Sequence, residues 1–257
     1  MNRINELFAK KGDKRILSIY FTAGYPALDS TLDIAEALEK AGVDFLEIGF
    51  PYSDPVADGP VIQHSSEAAL RHGMTLHILF EQLKALRKRV SIPVLLMGYV
   101  NPVLQYGVEN FCKSCTAVGV DGVIVPDLPM YEFEEHYRPI FEANGLSNIF
   151  LVTPQTSEAR IRKIDDLSTG FIYLLSSSAT TGKNLAVSEG TTAYFSRIRG
   201  MGLKNPIVIG FGISNHGTFI QATDYADGAI VGSAFVRLLG EADYMEKIPQ
   251  FIRQLRS

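Results

Sequence analysis

The sequence predicts an α/β fold, a single (β/α)8 TIM barrel, on three observations. Eight short apolar runs recur along the 257 residues, each followed by Gly, Pro, Asp, Ser or Thr and then by a segment of helical period. No linker or low-complexity stretch interrupts the series. Near-continuous apolar strands alternating with helices make a parallel sheet covered on both faces. Eight such units in roughly 230 residues suit a closed barrel better than a doubly wound sheet with a second domain. One catalytic domain spanning residues 1–257 is expected.

Taken in order, the opening Met1-Asn2-Arg3-Ile4-Asn5-Glu6 is polar with mixed charge. It lacks the apolar core of a secretory signal and reads as an extra amphipathic helix ahead of the barrel. Strands are predicted at Ile16 to Phe21, Phe45 to Phe50, Val94 to Met97, Gly122 to Val125, Ile149 to Val152, Phe171 to Leu175, Ile207 to Phe211 and Ala229 to Val231. Between them, apolar residues at helical spacing, such as Leu32, Ala35 and Leu38 or Leu79, Leu83 and Leu86, predict the intervening helices. Two connections are long: Pro51 to Thr75 after the second strand and Ser176 to Gly190 after the sixth. In a barrel both lie at the C-terminal ends of strands, where active sites are built, and long connections there are usually functional.

Composition narrows the function. The 24 Lys+Arg against 28 Asp+Glu give a net charge of −4 with no sustained basic block, which argues against a nucleic acid or an anionic membrane as partner. No apolar run approaches the roughly 18 residues of a membrane span. A cytoplasmic protein with a small ligand is expected. Cys112 and Cys115 have no second pair to complete a metal site, and Phe111, Cys115 and Val118 share a helical face. They read as two reduced cysteines, one packed and one less so. His64, His72, His77, His136 and His216 are dispersed and form no ligand set, so no metal is expected. Lys84, Arg87, Lys88 and Arg89 end a helix and read as a solvated face favoured by the dipole.

Chemistry gathers at strand ends. Glu47 is the one carboxylate in the second strand, and period-two alternation sets it opposite Leu46 and Ile48. With those two facing helices, Glu47 points into the barrel mouth, where poor solvation raises its pKa toward neutrality. The alternative is a buried Glu paired with a Lys or Arg. The next loop, Pro51 to Pro60, holds three prolines and a glycine and is stiff enough to hold a side chain in place. Its Asp54 or Asp58 either caps the helix that starts near Val61 or supplies a second, ionised carboxylate beside Glu47. The glycines of Thr181-Gly182, Phe211-Gly212-Ile213-Ser214 and Gly232-Ser233 fit a phosphate site built from backbone N–H groups, or plain left-handed turns. Neither a dinucleotide fingerprint, nor a P-loop, nor a Gly-x-Ser-x-Gly elbow is complete.

The string Leu46-Glu47-Ile48-Gly49-Phe50-Pro51-Tyr52-Ser53-Asp54-Pro55-Val56-Ala57-Asp58-Gly59-Pro60 closely resembles the signature of the tryptophan synthase α subunit family. The likeness extends through Tyr20 to Pro26, Met97 to Asn101, Val125 to Pro129, Tyr173 to Ser176, Gly210 to Ser214 and Gly232 to Ala234. That resemblance implies a barrel lyase of L-tryptophan biosynthesis that cleaves indole-3-glycerol phosphate into indole and glyceraldehyde 3-phosphate. It implies Glu47, Asp58 and Tyr173 as catalytic residues. Tyr20, Ile62, Met97, Tyr99, Ile124, Pro126 and Ile230 become indole-pocket walls, some of which serve equally as barrel core. Thr181, Gly182, Phe211, Gly212, Gly232 and Ser233 become lid and phosphate residues. No cofactor is implied in this chain; pyridoxal phosphate belongs to a partner β subunit in an α2β2 heterotetramer, contacted around Asp54, Pro55, Asn101 and Asp127-Leu128-Pro129. Where the family often has Gly-Val-Thr-Gly before the lid turn, this chain has Ala179-Thr180-Thr181-Gly182. Two other readings stand beside the lyase subunit: a stand-alone indole-glycerol-phosphate lyase, and a mainly regulatory or binding barrel.

Overall fold

The structure, a computed structural model, describes residues 2–175, 189–210 and 212–257. Its strands are β1 (Ile16–Thr22), β2 (Phe45–Gly49), β3 (Val94–Met97), β4 (Gly122–Ile124), β5 (Ser147–Ile149), β6 (Leu151–Val152), β7 (Ile172–Leu175), β8 (Ile207–Gly210) and β9 (Gly228–Val231). All pair in parallel in the order β5-β4-β3-β2-β1-β9-β8-β7-β6. The predicted fifth strand, Ile149 to Val152, is thus two short strands meeting at Phe150. The ladder changes neighbour there: β5 pairs with β4 and β6 with β7, and the Phe150 carbonyl accepts the Tyr173 N–H at 3.0 Å. The ring closes at that residue, making a (β/α)8 barrel of nine strand segments.

Strand pleating sorts the apolar residues into two shells. Leu46, Ile48, Leu96, Val123, Leu174 and Ile209 belong to the large outer core against the helices. The alternate residues Phe45, Leu95, Ile124, Ile149, Phe171, Tyr173, Val208 and Ile230 fill the barrel interior. The N-terminal helix Arg3–Lys10 starts where the Asn2 side chain accepts the Ile4 N–H at 2.9 Å, and its Ile4 and Phe8 are buried in the inner core. Phe8 packs on Phe45 and Phe171 with ring centroids 6.4 and 5.9 Å apart, closing the base of the barrel.

Three aspartates each stand just before a strand and accept the N–H of a neighbouring strand's residue: Asp44 from Leu17, Asp121 from Val94, Asp227 from Ile207, all at 2.9 Å. Asp121 also pairs with Arg3 at 2.9 Å and Arg87 at 2.6 Å. Arg87, read in the sequence as part of a solvated face, is instead tied down: its guanidinium donates to the carbonyls of Gly119, Val90 and Ile92 as well. Removing Asp121 leaves a half-buried guanidinium without its counter-charge and a buried N–H without its acceptor. Asp121→Ala is expected to cost about 3–5 kcal/mol of stability by urea unfolding; a loss below about 1 kcal/mol would show that water replaces the carboxylate.

Both cysteines correct the expectation of one looser thiol. Cys112 and Cys115 on the helix Val108–Val118 are fully buried and free, and burial pushes the Cys112 thiol up to about 12 and Cys115 well above the usual range. Among the described residues no helix is long and apolar enough to cross a membrane.

Candidate active site

β2 places Glu47 on the inner face, with Leu46 and Ile48 in the outer core. Its register partners are Tyr20 on β1 and Leu95 on β3. The side chain is fully buried, and among the described residues neither carboxyl oxygen has a hydrogen-bond partner. The paired-Glu alternative therefore fails. Burial disfavours the carboxylate and raises the Glu47 pKa to about 8, so the group is largely protonated at neutral pH.

Two glycines make room for the aromatic groups around it. A Cβ on Gly49 would lie 2.2 Å from the Tyr20 hydroxyl, and one on Gly210 would lie 2.1 Å from the Tyr173 hydroxyl. Each tyrosine thus lies across a strand that carries no side chain at that level. Tyr173 is buried, and Glu47, Tyr20 and Asp58 are close enough for their charge to add to burial in holding its phenol protonated. On β1, Thr22 and Ser65 hydroxyls meet at 2.7 Å, and Ser65 donates to the Ile62 carbonyl at 2.8 Å, fastening the helix Pro60–Arg71 to the barrel.

Asp58 sits just ahead of that helix. The helix is capped by Gly59 with Pro60 in its first turn and no side-chain cap, so neither aspartate caps it. Asp58 instead lines a cavity together with Tyr99, whose hydroxyl accepts the N–H of the neighbouring Ala57 at 3.0 Å. Burial raises the Asp58 pKa, and the nearby Tyr99 phenol opposes that rise. Asp54 lies exposed on the outer side of the loop, hydrogen-bonded by Ser53.

A cavity opens at the C-terminal ends of the strands, lined by Tyr20, Asp58, Met97, Tyr99, Leu151 and Leu175 among others. Pro126 also lines it, whereas Ile62, Ile124 and Ile230 do not. Ile124 and Ile230 belong to the inner barrel core, and Ile62 is buried on its helix. Glu47 is not a lining residue either, although its register partner Tyr20 is. Leu151 and Leu175 were missed in the sequence, as were Phe50 and Tyr52. The two leucines had a signal: each is two residues past an inward-facing position, Ile149 and Tyr173.

Of the phosphate candidates, Gly212 has φ +75°, which by itself calls for glycine. Gly232 does not: its φ is −112°, and a Cβ there would meet nothing closer than the Tyr20 side chain at 3.7 Å. Among the described residues nothing crowds a side chain at 232, and Ser233 follows it as the first residue of the helix Ser233–Leu239. Thr181, Gly182 and Phe211, with Ala179 and Thr180, lie outside the described residues.

A parallel α/β barrel with a buried protonated glutamate and an aspartate at its C-terminal mouth defines an acid–base enzyme of the (β/α)8 class. The family model for the tryptophan synthase alpha chain matches residues 8–255. A tryptophan synthase alpha chain of Flavobacterium psychrophilum is 56% identical over 255 residues, covering 99% of this chain and 100% of that one. One from Bacteroides thetaiotaomicron is 54% identical over 247 residues, 96% of each. The Legionella pneumophila tryptophan synthase subunit alpha structure superposes with TM-score 0.90 at 34% identity, covering 100% of this chain and 97% of that one. The Mycobacterium tuberculosis tryptophan synthase structure gives TM-score 0.90 at 32% identity, covering 99% and 97%. The chain belongs to the tryptophan synthase alpha chain family, and is a lyase with the alpha-subunit role in tryptophan biosynthesis.

Proposed function

We propose that this chain cleaves indole-3-glycerol phosphate to indole and glyceraldehyde 3-phosphate with Glu47 as the proton-transferring acid/base and Asp58 as the charge-stabilising carboxylate. The observation that carries the reading is the buried, protonated Glu47 carboxyl, without a hydrogen-bond partner among the described residues, together with a second carboxylate, Asp58, on the cavity at the barrel mouth. Neutral Glu47 donates its proton to indole C3, which places positive charge on the ring nitrogen. The bond from C3 to the hydroxyl-bearing carbon then breaks, its electrons restoring the aromatic ring. The hydroxyl proton passes to the Glu47 carboxylate as the aldehyde forms, so the acid is regenerated. Asp58 accepts a hydrogen bond from the indole N–H and stabilises the cation. Tyr173, held protonated by burial, orients substrate and acid.

Tyr20, Met97, Tyr99 and Pro126 form indole-pocket walls, and backbone N–H groups at Gly212, Gly232 and Ser233, with Gly182 and Phe211, hold the phosphate. Residues 1–257 act as one cytoplasmic barrel domain without a cofactor of its own. Pyridoxal phosphate belongs to the β subunit of an α2β2 heterotetramer, which receives the indole. Support for that docking face comes from the connections after β2, β3 and β4. They carry the expected contacts Asp54, Asn101 and Asp127, and on the same segments Val56, Leu104 and Tyr131 are exposed apolar residues. The test is indole release from indole-3-glycerol phosphate by the purified chain, alone and with a β subunit. Indole release that rises sharply on adding the β subunit is expected. Full activity alone selects the stand-alone lyase, and none in either state overturns the reading.

A further inference from the structure

Ser66, in the second turn of the helix Pro60–Arg71, lines the same cavity as Asp58 and is only 5% exposed. Its hydroxyl makes no hydrogen bond among the described residues. Unlike the Ser18 hydroxyl, which is sealed inside the barrel without a partner, it keeps access to the cavity. The neighbouring serine explains why it is left over. Ser65 Oγ donates to the Ile62 carbonyl at 2.8 Å and so accepts from the Thr22 hydroxyl at 2.7 Å. In an α-helix the Ile62 carbonyl also receives the Ser66 N–H. Both lone pairs of that oxygen are then taken, which closes to Ser66 the carbonyl four residues back that a helical serine ordinarily bonds. Elsewhere on the cavity, the Tyr99 hydroxyl oxygen accepts the Ala57 N–H at 3.0 Å and the Tyr52 hydroxyl accepts from Asn101 Nδ2 at 3.3 Å. Much of the remaining wall is apolar, with Phe50, Met97, Leu151 and Leu175. Gly212, Gly232 and Ser233 do not line it, so the cavity fits the aromatic end of a substrate and not its phosphate.

We propose that Ser66 is a specificity-determining residue at the ring end of the site, its hydroxyl hydrogen-bonding a hydroxyl or amino substituent on the aromatic ring. The site then takes polar-substituted indole-glycerol phosphates in addition to the plain one. This deepens the lyase reading above and rests on it. An unsubstituted indole brings one polar atom, the N–H, which is assigned to Asp58. The rest of its edge is C–H and leaves the Ser66 hydroxyl unpaired, at a cost in free energy. A ring hydroxyl both donates and accepts, and so completes the bonding of Ser66. An alanine at this position would favour the helix and give a uniformly apolar wall, which would bind the plain ring well and leave a polar substituent without a partner.

The test is calorimetric binding of indol-3-ylpropyl phosphate, an analogue that lacks the glycerol hydroxyls and is not cleaved, to the wild-type chain and to Ser66→Ala. The same analogue hydroxylated in turn at each open carbon of the benzo ring completes the set. At least one hydroxylated analogue should bind Ser66→Ala roughly three- to tenfold more weakly than wild type, the scale of one net hydrogen bond, while the plain analogue binds both equally or favours the variant. A shift of the same factor across the whole set, or none, overturns the proposal. Thermal unfolding without ligand is the second measurement. The midpoint of Ser66→Ala should equal or exceed that of wild type, since an unpaired hydroxyl is lost and a better helix former gained. A lower midpoint means that the hydroxyl is spent inside the chain, and overturns the proposal as well. Cleavage of indole-3-glycerol phosphate by wild type is assayed in parallel: a wild type that neither cleaves it nor binds the plain analogue overturns the lyase reading itself.

Discussion

Glu47→Gln is expected to lower kcat for indole release by roughly 10²–10⁴-fold while leaving the binding of glyceraldehyde 3-phosphate intact. The amide keeps the shape of the buried side chain but cannot exchange the proton. In the wild type, kcat/KM should fall on the alkaline side as Glu47 loses its proton through about 8, and on the acidic side as Asp58 becomes protonated above the ordinary aspartate range. Any residual activity of Glu47→Gln should lack the alkaline limb. Stability carries the same signature. The folded pKa of about 8 lies above the ordinary 4.5, so the folded chain holds an extra proton between those values. The stability linked to that proton is fully present below about pH 4.5 and is lost as pH rises through about 8. Urea melts at about pH 6 and about pH 9 should therefore show Glu47→Gln gaining on the wild type at the higher pH. Normal turnover by the variant, or a stability difference that does not change with pH, would remove Glu47 from the role of neutral acid.

Asp58→Asn is expected to lower kcat by roughly 10²–10³-fold, the scale of losing one preorganised group aimed at developing charge. The amide has the same shape, the loop keeps its Ala57 N–H bond to the Tyr99 hydroxyl, and the helix Pro60–Arg71 keeps its Gly59 cap. The change is confined to the charge that would face the indole nitrogen. Unfolding midpoints should be no lower than the wild type's, since burial already disfavours the charge that the amide removes, and kinetics indistinguishable from wild type would take Asp58 out of the mechanism.

Much of the barrel was legible because parallel strands buried on both faces are written as apolar runs, and pleating then assigns faces by parity. Leu46, Glu47 and Ile48 sort as that rule requires. The break at Phe150 was not legible, since an apolar run carries no mark of where hydrogen bonding passes from one neighbour to the next. Arg87 misled for a related reason. Its sequence neighbours are solvated, but its partners Gly119 and Asp121 come from another part of the chain. Ile124 and Ile230 faced inward as alternation says, yet whether an inward residue meets the cavity or the core depends on its height in the barrel.

By itself the sequence revealed the fold class and the inward position of Glu47, and its resemblance to a family singled out Asp58 over Asp54, because periodicity and a contiguous motif are local properties of the chain. Tertiary structure alone decided that Glu47 has no hydrogen-bond partner among the described residues and stays protonated, that Asp58 lines the cavity beside Tyr99 instead of capping a helix, and that Gly49 and Gly210 yield their space to Tyr20 and Tyr173. Those are properties of burial and of contacts between distant segments, and no single stretch of sequence contains both members of such a contact.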